Sequence, residues 1–400
     1  MSEAKSPKPD ERQALLIGER RRKMAASAHA YVRGSTIQFY DWLERSTLAV
    51  PEGPAIWICG DCHVGNLGPV ASAGGNLAVQ IRDLDQTVVG NPAHDLIRLA
   101  LSLAMAARGS DLPGVTTAHM LEHMVAGYES AFAPQFDAED DVAVPRMVKN
   151  LMREAAGRSW KHLADERIEG TEPMIPLGKR FWKLTREEAD AVRKLFATTA
   201  LQELATALRG REQGADIRVL DAAYWRKGCS SLGRLRFAVL LAVGSGKSER
   251  HCLMDIKEAI TAAAPRSKTA DMARDNAERV VTGARHLSPG LGGRMRAARM
   301  LGTSVFVREL LPQDLKLEIA HLNRAQAEEM ARYLAAVVGH AHARQMNADD
   351  RKGWLSVLQT RRSRTLEAPS WLWESVVELV ATHEAAYLQH CRKYALAEAA

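Results

Sequence analysis

The 400-residue sequence predicts an α+β protein of two lobes, a small antiparallel-sheet lobe and a large helical lobe. Three observations lead there. Apolar residues recur with a helical period through 10–46, from about 116 to 208, and again from about 323 onward. Between about 217 and 311 the texture changes to short runs of β-branched and aromatic residues broken by glycine turns. Residues 93–107 are apolar on nearly every face, which marks a helix buried at the centre of a lobe. The chain accordingly divides into a helical part (1–215), a small sheet part with one helix (216–315) and C-terminal helices packing back on the first part (316–400).

The elements follow in order. Residues 10–46 read as helical and end near the Pro51-Glu52-Gly53-Pro54 break. A short strand (55–59) leads into a polar, glycine-containing loop (60–68), and a flexible GPVASAGGN stretch leads to a second strand (77–81). Asn91-Pro92 opens the buried helix, because Asn caps the first turn and Pro fits inside it. Residues 217–225, 234–243 and 251–256 read as strands separated by KGCSSLG and GSGKSE turns. A helix over about 271–285 and a strand over 304–311 complete the sheet part, and the rest is helical.

Composition narrows the class. At 46% hydrophobic and 26% charged, the chain has the balance of a soluble globular protein. Lys+Arg 54 against Asp+Glu 48 leaves +6, spread along the chain, which suits a polyanionic ligand but gives no clear nucleic-acid signal. No apolar run approaches the ~18–20 residues of a membrane span. The polar start MSEAKSPKPDERQ lacks the hydrophobic stretch of a secretory signal. Five cysteines, an odd and small number, fit a reducing compartment. A cytoplasmic protein without a membrane partner is expected.

Chemistry concentrates in two acidic segments. The first is Cys59-Gly60-Asp61-Cys62-His63-Val64-Gly65-Asn66; the second is Arg82-Asp83-Leu84-Asp85, followed by Gly90-Asn91-Pro92-Ala93-His94-Asp95-Leu96. Phosphoryl transfer from Mg-ATP needs a carboxylate to orient and deprotonate an attacking hydroxyl, and oxygen ligands to hold the metal against the phosphates. An Asp with an Asn five positions on, across one tight loop, points both at one small volume. A second Asp at a nearby strand end adds charge for the metal.

This ordered set resembles the aminoglycoside phosphotransferase and choline kinase branch of the protein-kinase-like fold. The resemblance implies Asp61 as catalytic base, Asn66 and Asp83 as metal ligands, Asp85 as a second acid in the same site, and Asp95 as the carboxylate that braces the loop from the central helix. One departure is plain: the family's usual His before Gly-Asp is Cys59 here.

A nucleotide clamp needs a glycine-rich turn over the phosphates and a Lys on the following strand. Gly228, Ser230, Ser231 and Gly233 supply the turn, Lys257 the cation, and Glu278 on the next helix a partner for Lys257, with Glu258 as competitor. The strand over 304–311 then leads toward the adenine pocket. In ordinary kinases the turn and Lys precede the catalytic loop; here they follow it, so the fold is expected to be circularly permuted. This order, together with Tyr31-Val32-Arg33-Gly34, GDCHVGNLG, RKGCSSLG, the IKEA segment and GHAHAR, resembles the bacterial domain-of-unknown-function family 2252, grouped with kinase-like folds, over about residues 20–395.

Other signals have plainer readings. Gly244-Ser245-Gly246-Lys247-Ser248 imitates a phosphate-binding loop, but Leu241 occupies the required first glycine and no helix follows, so it reads as an exposed hairpin turn. Cys59 and Cys62 have redox or zinc-knuckle spacing without a second pair. His340 and His342 lie about 200° apart on a helix and cannot chelate one ion together. His63 either touches phosphate or bonds the loop, and Arg33 and Arg82 either reach an anion or serve the structure.

The function expected is an ATP- and Mg-dependent phosphotransferase acting on a hydroxyl of a small-molecule acceptor. A catalytically silent nucleotide sensor or scaffold on the same fold, or a nucleotidyl transferase, is the alternative. A phosphate-binding-loop NTPase using Lys247 is the third reading.

Overall fold

A computed structural model describes residues 6–110, 112–133, 143–167, 174–208, 210–229, 231–315, 317, 322–360 and 367–394. The chain opens with α1 (Pro9–Ala25), α2 (Ala28–Val32) and α3 (Thr36–Arg45). The acidic segments lie among β1 (Ile56–Ile58), β2 (Leu67–Ala71), β3 (Leu77–Ile81) and β4 (Val88–Gly90). Helices α4 (Pro92–Arg108), α5 (Gly114–Ser130), α6 (Arg146–Gly157) and α7 (Trp160–Arg167) follow. Then come β5 (Phe181–Lys183), α8 (Arg186–Phe196), α9 (Thr199–Thr206), β6 (Ile217–Trp225), β7 (Arg236–Val243) and β8 (Arg250–Glu258). Next are α10 (Asn276–Leu287), α11 (Pro289–Gly292), β9 (Met295–Met300) and β10 (Thr303–Leu310). Three helices close the chain: α12 (Arg324–Ala343), α13 (Ala348–Gln359) and α14 (Ser370–Tyr394).

The molecule is mixed α and β with a small antiparallel sheet, as the sequence predicts. That sheet has six strands in the order β5-β6-β7-β8-β10-β9, and two two-stranded ribbons, β1-β4 and β2-β3, carry the acidic segments. Each element has its local cause. Asn91 Oδ1 accepts from the Ala93 N–H and Pro92 fills the first turn, so α4 starts where expected. Gly127 lets α5 approach α12, since a Cβ there would lie 2.0 Å from the Arg332 carbonyl oxygen.

Period-2 alternation gives the sheet two unlike faces. Phe237, Val239, Leu241, Cys252, Met254, Ile256, Val305 and Val307 form one dry face, closed by Val192, Leu195, Phe196 and Leu201 of α8 and α9. The other face starts apolar, with Trp225, Leu240, Leu253 and Leu310, and ends in charge. Arg236 and Lys257 are register partners there, as are Arg308 and Asp255. A larger apolar core joins α4, α5, α12, α13 and α14 with the β1-β4 ribbon.

Several elements differ from expectation. β5, α8 and α9 pack with the sheet, so the sheet layer begins before residue 216. The GPVASAGGN stretch contains β2, paired with β3 from Leu67↔Ile81 to Ala71↔Leu77. β9, Met-Arg-Ala-Ala-Arg-Met, forms only because β10 offers an edge. The Gly246–Ser248 segment is a 3-10 turn inside the β7–β8 hairpin, without the helix a phosphate-binding loop needs. Among the described residues no helix is long and apolar enough to cross a membrane.

Candidate functional site

The loop after β1 is held by three polar residues spaced along the buried face of α4. Asp95 accepts the backbone N–H of Cys59 (2.7 Å) and of Gly60 (2.9 Å). Arg98 Nε donates to Asp61 Oδ1 at 3.0 Å, and the Ser102 hydroxyl accepts the Val64 N–H at 3.2 Å. Positions i, i+3 and i+7 of a helix share a face, so one helix fixes the loop at Cys59, Gly60, Asp61 and Val64. Gly60 sits at φ +74°, and a Cβ there would lie 2.1 Å from the Gln86 carbonyl oxygen. The loop after β1 and the loop after β3 therefore touch backbone to backbone.

Behind Asp95 the network continues. His342 Nε2 lies 3.2 Å from Asp95 Oδ2, and its Nδ1 lies 2.8 Å from the Tyr128 hydroxyl. The Trp354 indole N–H donates to that hydroxyl at 3.2 Å. A consistent proton order follows. Trp354 donates to Tyr128, Tyr128 donates to Nδ1, and Nε2–H donates to the carboxylate. His342 is fully buried, whereas His340 is half-buried, so the pair divides as the helical spacing requires.

Asp61 is buried at 6% exposure. Burial pushes its carboxyl above the ordinary range, opposed by the Arg98 guanidinium. His63 Nε2 lies 3.9 Å from Asp61 Oδ2, and burial, with Arg98 and Arg33 nearby, holds the imidazole well below its ordinary range. Asn66 Nδ2 donates to the Asp61 carbonyl at 3.0 Å, which leaves its amide oxygen as the end suited to a cation.

Lys257, 1% exposed at the end of β8, lies 3.2 Å from Asp83 Oδ1 and is paired with Asp85 as well. Burial raises both carboxyls; at Asp83 the Lys257 and Arg308 charges prevail and hold it well below the usual range. At Asp85 burial and the neighbouring Asp83 charge push it up. Beside them Arg236 grips Asp255 with two bonds of 2.8 and 2.6 Å, and Arg308 reaches it at 3.2 Å.

One cleft unites these parts. Asp61, Asn66 and Asp83 from the acidic loops line it together with Gly228, Cys229 and Ser231 from the β6–β7 turn. Arg33, Arg82, Lys227, Arg236 and Arg308 also face it, so the walls are strongly basic. The turn is shaped by Gly228 at φ +100° and Gly233 at φ +93°.

Sequence-chosen residues divide on this geometry. Asp61, Asn66, Asp83, Gly228 and Ser231 line the cleft, Lys257 and Asp85 lie just behind Asp83, and Asp95 sits beneath the loop. Gly233 closes the turn against α1, 3.5 Å from Ile17 by its Cβ position, rather than lining the cleft. Ser230 lies outside the described residues. Glu278 is corrected: it is exposed on the first turn of α10, while the buried Lys257 takes Asp83 and Asp85 as partners. Glu258, the competitor, accepts the Leu235 N–H and so holds the strand after the turn.

The chain matches the family described as "Uncharacterized protein conserved in bacteria (DUF2252)" over residues 12–393. It belongs to the DUF2252 family. No curated protein and no solved structure matches it.

In this DUF2252 chain, sequence reasoning missed Arg98, Arg236, Asp255, Arg279 and Arg308. Arg98, Asp255 and Arg308 interrupt apolar runs, the signal of a buried charge that must be paired, whereas Arg279 gives no such signal. Arg279 of α10 donates to the carbonyls of Asp85 (3.1 Å), Ile260 (2.7 Å) and Thr87, so this helix reaches the acidic loop through an arginine.

Proposed function

We propose that this DUF2252 protein is an ATP- and Mg-dependent phosphotransferase acting on a hydroxyl of a small-molecule acceptor, with kinase-like parts in permuted order. The observation that carries it is the shared cleft, lined by Asp61, Asn66 and Asp83 of the acidic loops together with Gly228, Cys229 and Ser231.

Metal chemistry fits the residues present. Asp85 Oδ1 is a buried carboxylate oxygen without a hydrogen-bond partner, and the Asn66 amide oxygen and Asp83 stand nearby in the loops. Among the described residues no three His, Cys, Asp or Glu side chains form a ready-made cation cage. Mg is commonly held by one or two carboxylates plus substrate phosphates, so Asn66, Asp83 and Asp85 suffice when a triphosphate completes the set. Bound there, Mg would neutralise charge on the transferring phosphoryl group.

The chain's own residues supply the rest. Asp61, fixed by Arg98, orients the acceptor hydroxyl and takes its proton; a raised carboxyl is the better base near neutral pH. Arg308 meets phosphate oxygens from the cleft wall, Lys257 behind it holds Asp83 and Asp85 in place, and backbone groups of the turn cover the phosphates. The cleft encloses about 120 Å³, room for the phosphate end of a nucleotide. A neighbouring cavity shares Arg82, Lys227 and Arg308 with it and is walled by Leu163, Leu310 and Leu311, which suits the base.

The test is ATP consumption by the purified protein with Mg across hydroxylated metabolites, with products identified by mass. Gain of a phosphoryl group by an acceptor supports the reading. Gain of AMP instead assigns nucleotidyl transfer, and nucleotide binding without turnover on any acceptor assigns a sensor.

A further inference from the structure

Three cavities follow one another along the site. The leucine-walled one joins the central cleft through Arg82, Lys227 and Arg308. The cleft joins a third, of about 560 Å³, through Arg33 and Gly65. No residue lines both ends. Transfer of a phosphoryl group places the attacking and leaving oxygens roughly in line on opposite sides of phosphorus. With the nucleotide entering from the leucine-walled end, the acceptor must come from the third cavity, whose volume lies in the range of small-molecule sites.

The lining of that cavity is mostly apolar, with Val64, Met105, Ala106 and Leu317, and its charges are unevenly placed. At its outer side Arg108 and Glu384 neutralise one another at 2.6 Å. At its inner side Arg33 makes no side-chain hydrogen bond or ion pair among the described residues, although it packs 3.3 Å from the Cβ position of Gly65. A guanidinium with no anionic partner among the described residues, lining the same cleft as Asp61, favours a negative group on the incoming molecule and disfavours a cation.

We infer that this third cavity is the acceptor subsite and that the acceptor is a hydroxylated small anion, a phosphate ester or carboxylate, whose charge Arg33 receives. The inference rests on the phosphotransferase reading. In the step, the acceptor oxygen bonds to the γ-phosphorus, the bond from that phosphorus to the bridging oxygen breaks, ADP departs, and the hydroxyl proton passes to Asp61.

The full chain is assayed with Mg-ATP against glycerol 3-phosphate and glucose 6-phosphate, against glycerate, against uncharged glycerol and glucose, and against choline. The expected result is a kcat/KM at least tenfold higher for an anionic acceptor than for the uncharged ones, with choline inert. The two anionic arms separate phosphate from carboxylate recognition. Arg33→Met should raise the acceptor KM at least tenfold, Arg33→Lys should restore part of it, and Ala106→Phe, which fills the cavity, should cost at least tenfold in transfer. Ligand-free melting temperatures serve as the folding check. Equal use of uncharged or cationic acceptors, an unmoved KM in Arg33→Met, or Mg-ATP binding without transfer to any anion would overturn the acceptor class. Failure of the native protein to bind Mg-ATP is a different result, and contradicts the nucleotide reading beneath it.

Discussion

Lys257 Nζ lies 3.2 Å from Asp83 Oδ1, which brings together two residues 174 positions apart. Lys257 arrives on the charged face of the sheet and Asp83 on the loop after β3, so this pair ties the sheet to the acidic loops. Removing the cation leaves two carboxylates facing one another. Lys257→Met should therefore destabilise the fold by about 2–3 kcal/mol near neutral pH, less than the ~3–5 of a fully buried pair because the Asp83 side chain is 38% exposed. In that variant the acids' raised affinity for protons makes acid protective: stability is recovered as pH falls toward the unfolded carboxylate range. Urea denaturation at several pH values checks both effects.

On the proposed phosphotransferase reading, Asp61 serves proton transfer, while Asp83 would hold the triphosphate through Mg and Arg308 would meet it directly. Asp61→Asn should retain Mg-nucleotide binding and lose about 10²–10⁴-fold in turnover. Turnover equal to the native protein would remove Asp61 from the chemistry.

Asp255 contributes to the acid limb of stability. Burial raises its carboxyl, but the Arg236 and Arg308 charges prevail and hold it well below the ordinary carboxylate range. A depressed carboxyl stabilises the fold above its unfolded pKa of ~3.9, and that contribution is lost as pH falls through the folded value. Asp255→Asn should cost about 3–5 kcal/mol at pH 7, since it leaves buried Arg236 without its carboxylate, and should flatten the loss of stability below about pH 4. Chemical denaturation from pH 7 down to pH 3 reads both.

His342 supports the loop from behind Asp95. His342→Phe fills the space but leaves the Tyr128 hydroxyl and Asp95 each short of one partner, so a loss of about 1–3 kcal/mol is expected. Equilibrium denaturation of His342→Phe and His342→Gln should rank Gln as the milder change.

Much of the site is legible in the sequence because its parts are local. The spacing from Asp61 to Asn66 lies in one loop, and Asp95 opens a helix signalled by Asn91-Pro92, so short-range geometry brings them together. The strand over 217–225 is legible because its apolar and aromatic run is bounded by the KGCSSLG glycine turn. What fails is what depends on tertiary contact. β9 carries Ala and Arg, residues that favour helices, and becomes a strand only on the edge of β10. The sequence points to Glu278 on the following helix as the partner of Lys257, but the deciding neighbours lie on a loop distant in sequence. Asp255 and Arg308 are readable as buried charges, yet only the strand register shows them meeting Arg236 on one face.

The central claim is that the acidic loops and the glycine turn close on one Mg-nucleotide. Titration calorimetry with the ATP analogue whose β–γ bridge is an imido group, with and without Mg, tests it most directly. The account predicts one site, dependent on Mg, and weakened at least tenfold by Asp83→Asn. Absence of binding in the native protein, or binding indifferent to both Mg and Asp83→Asn, would contradict it.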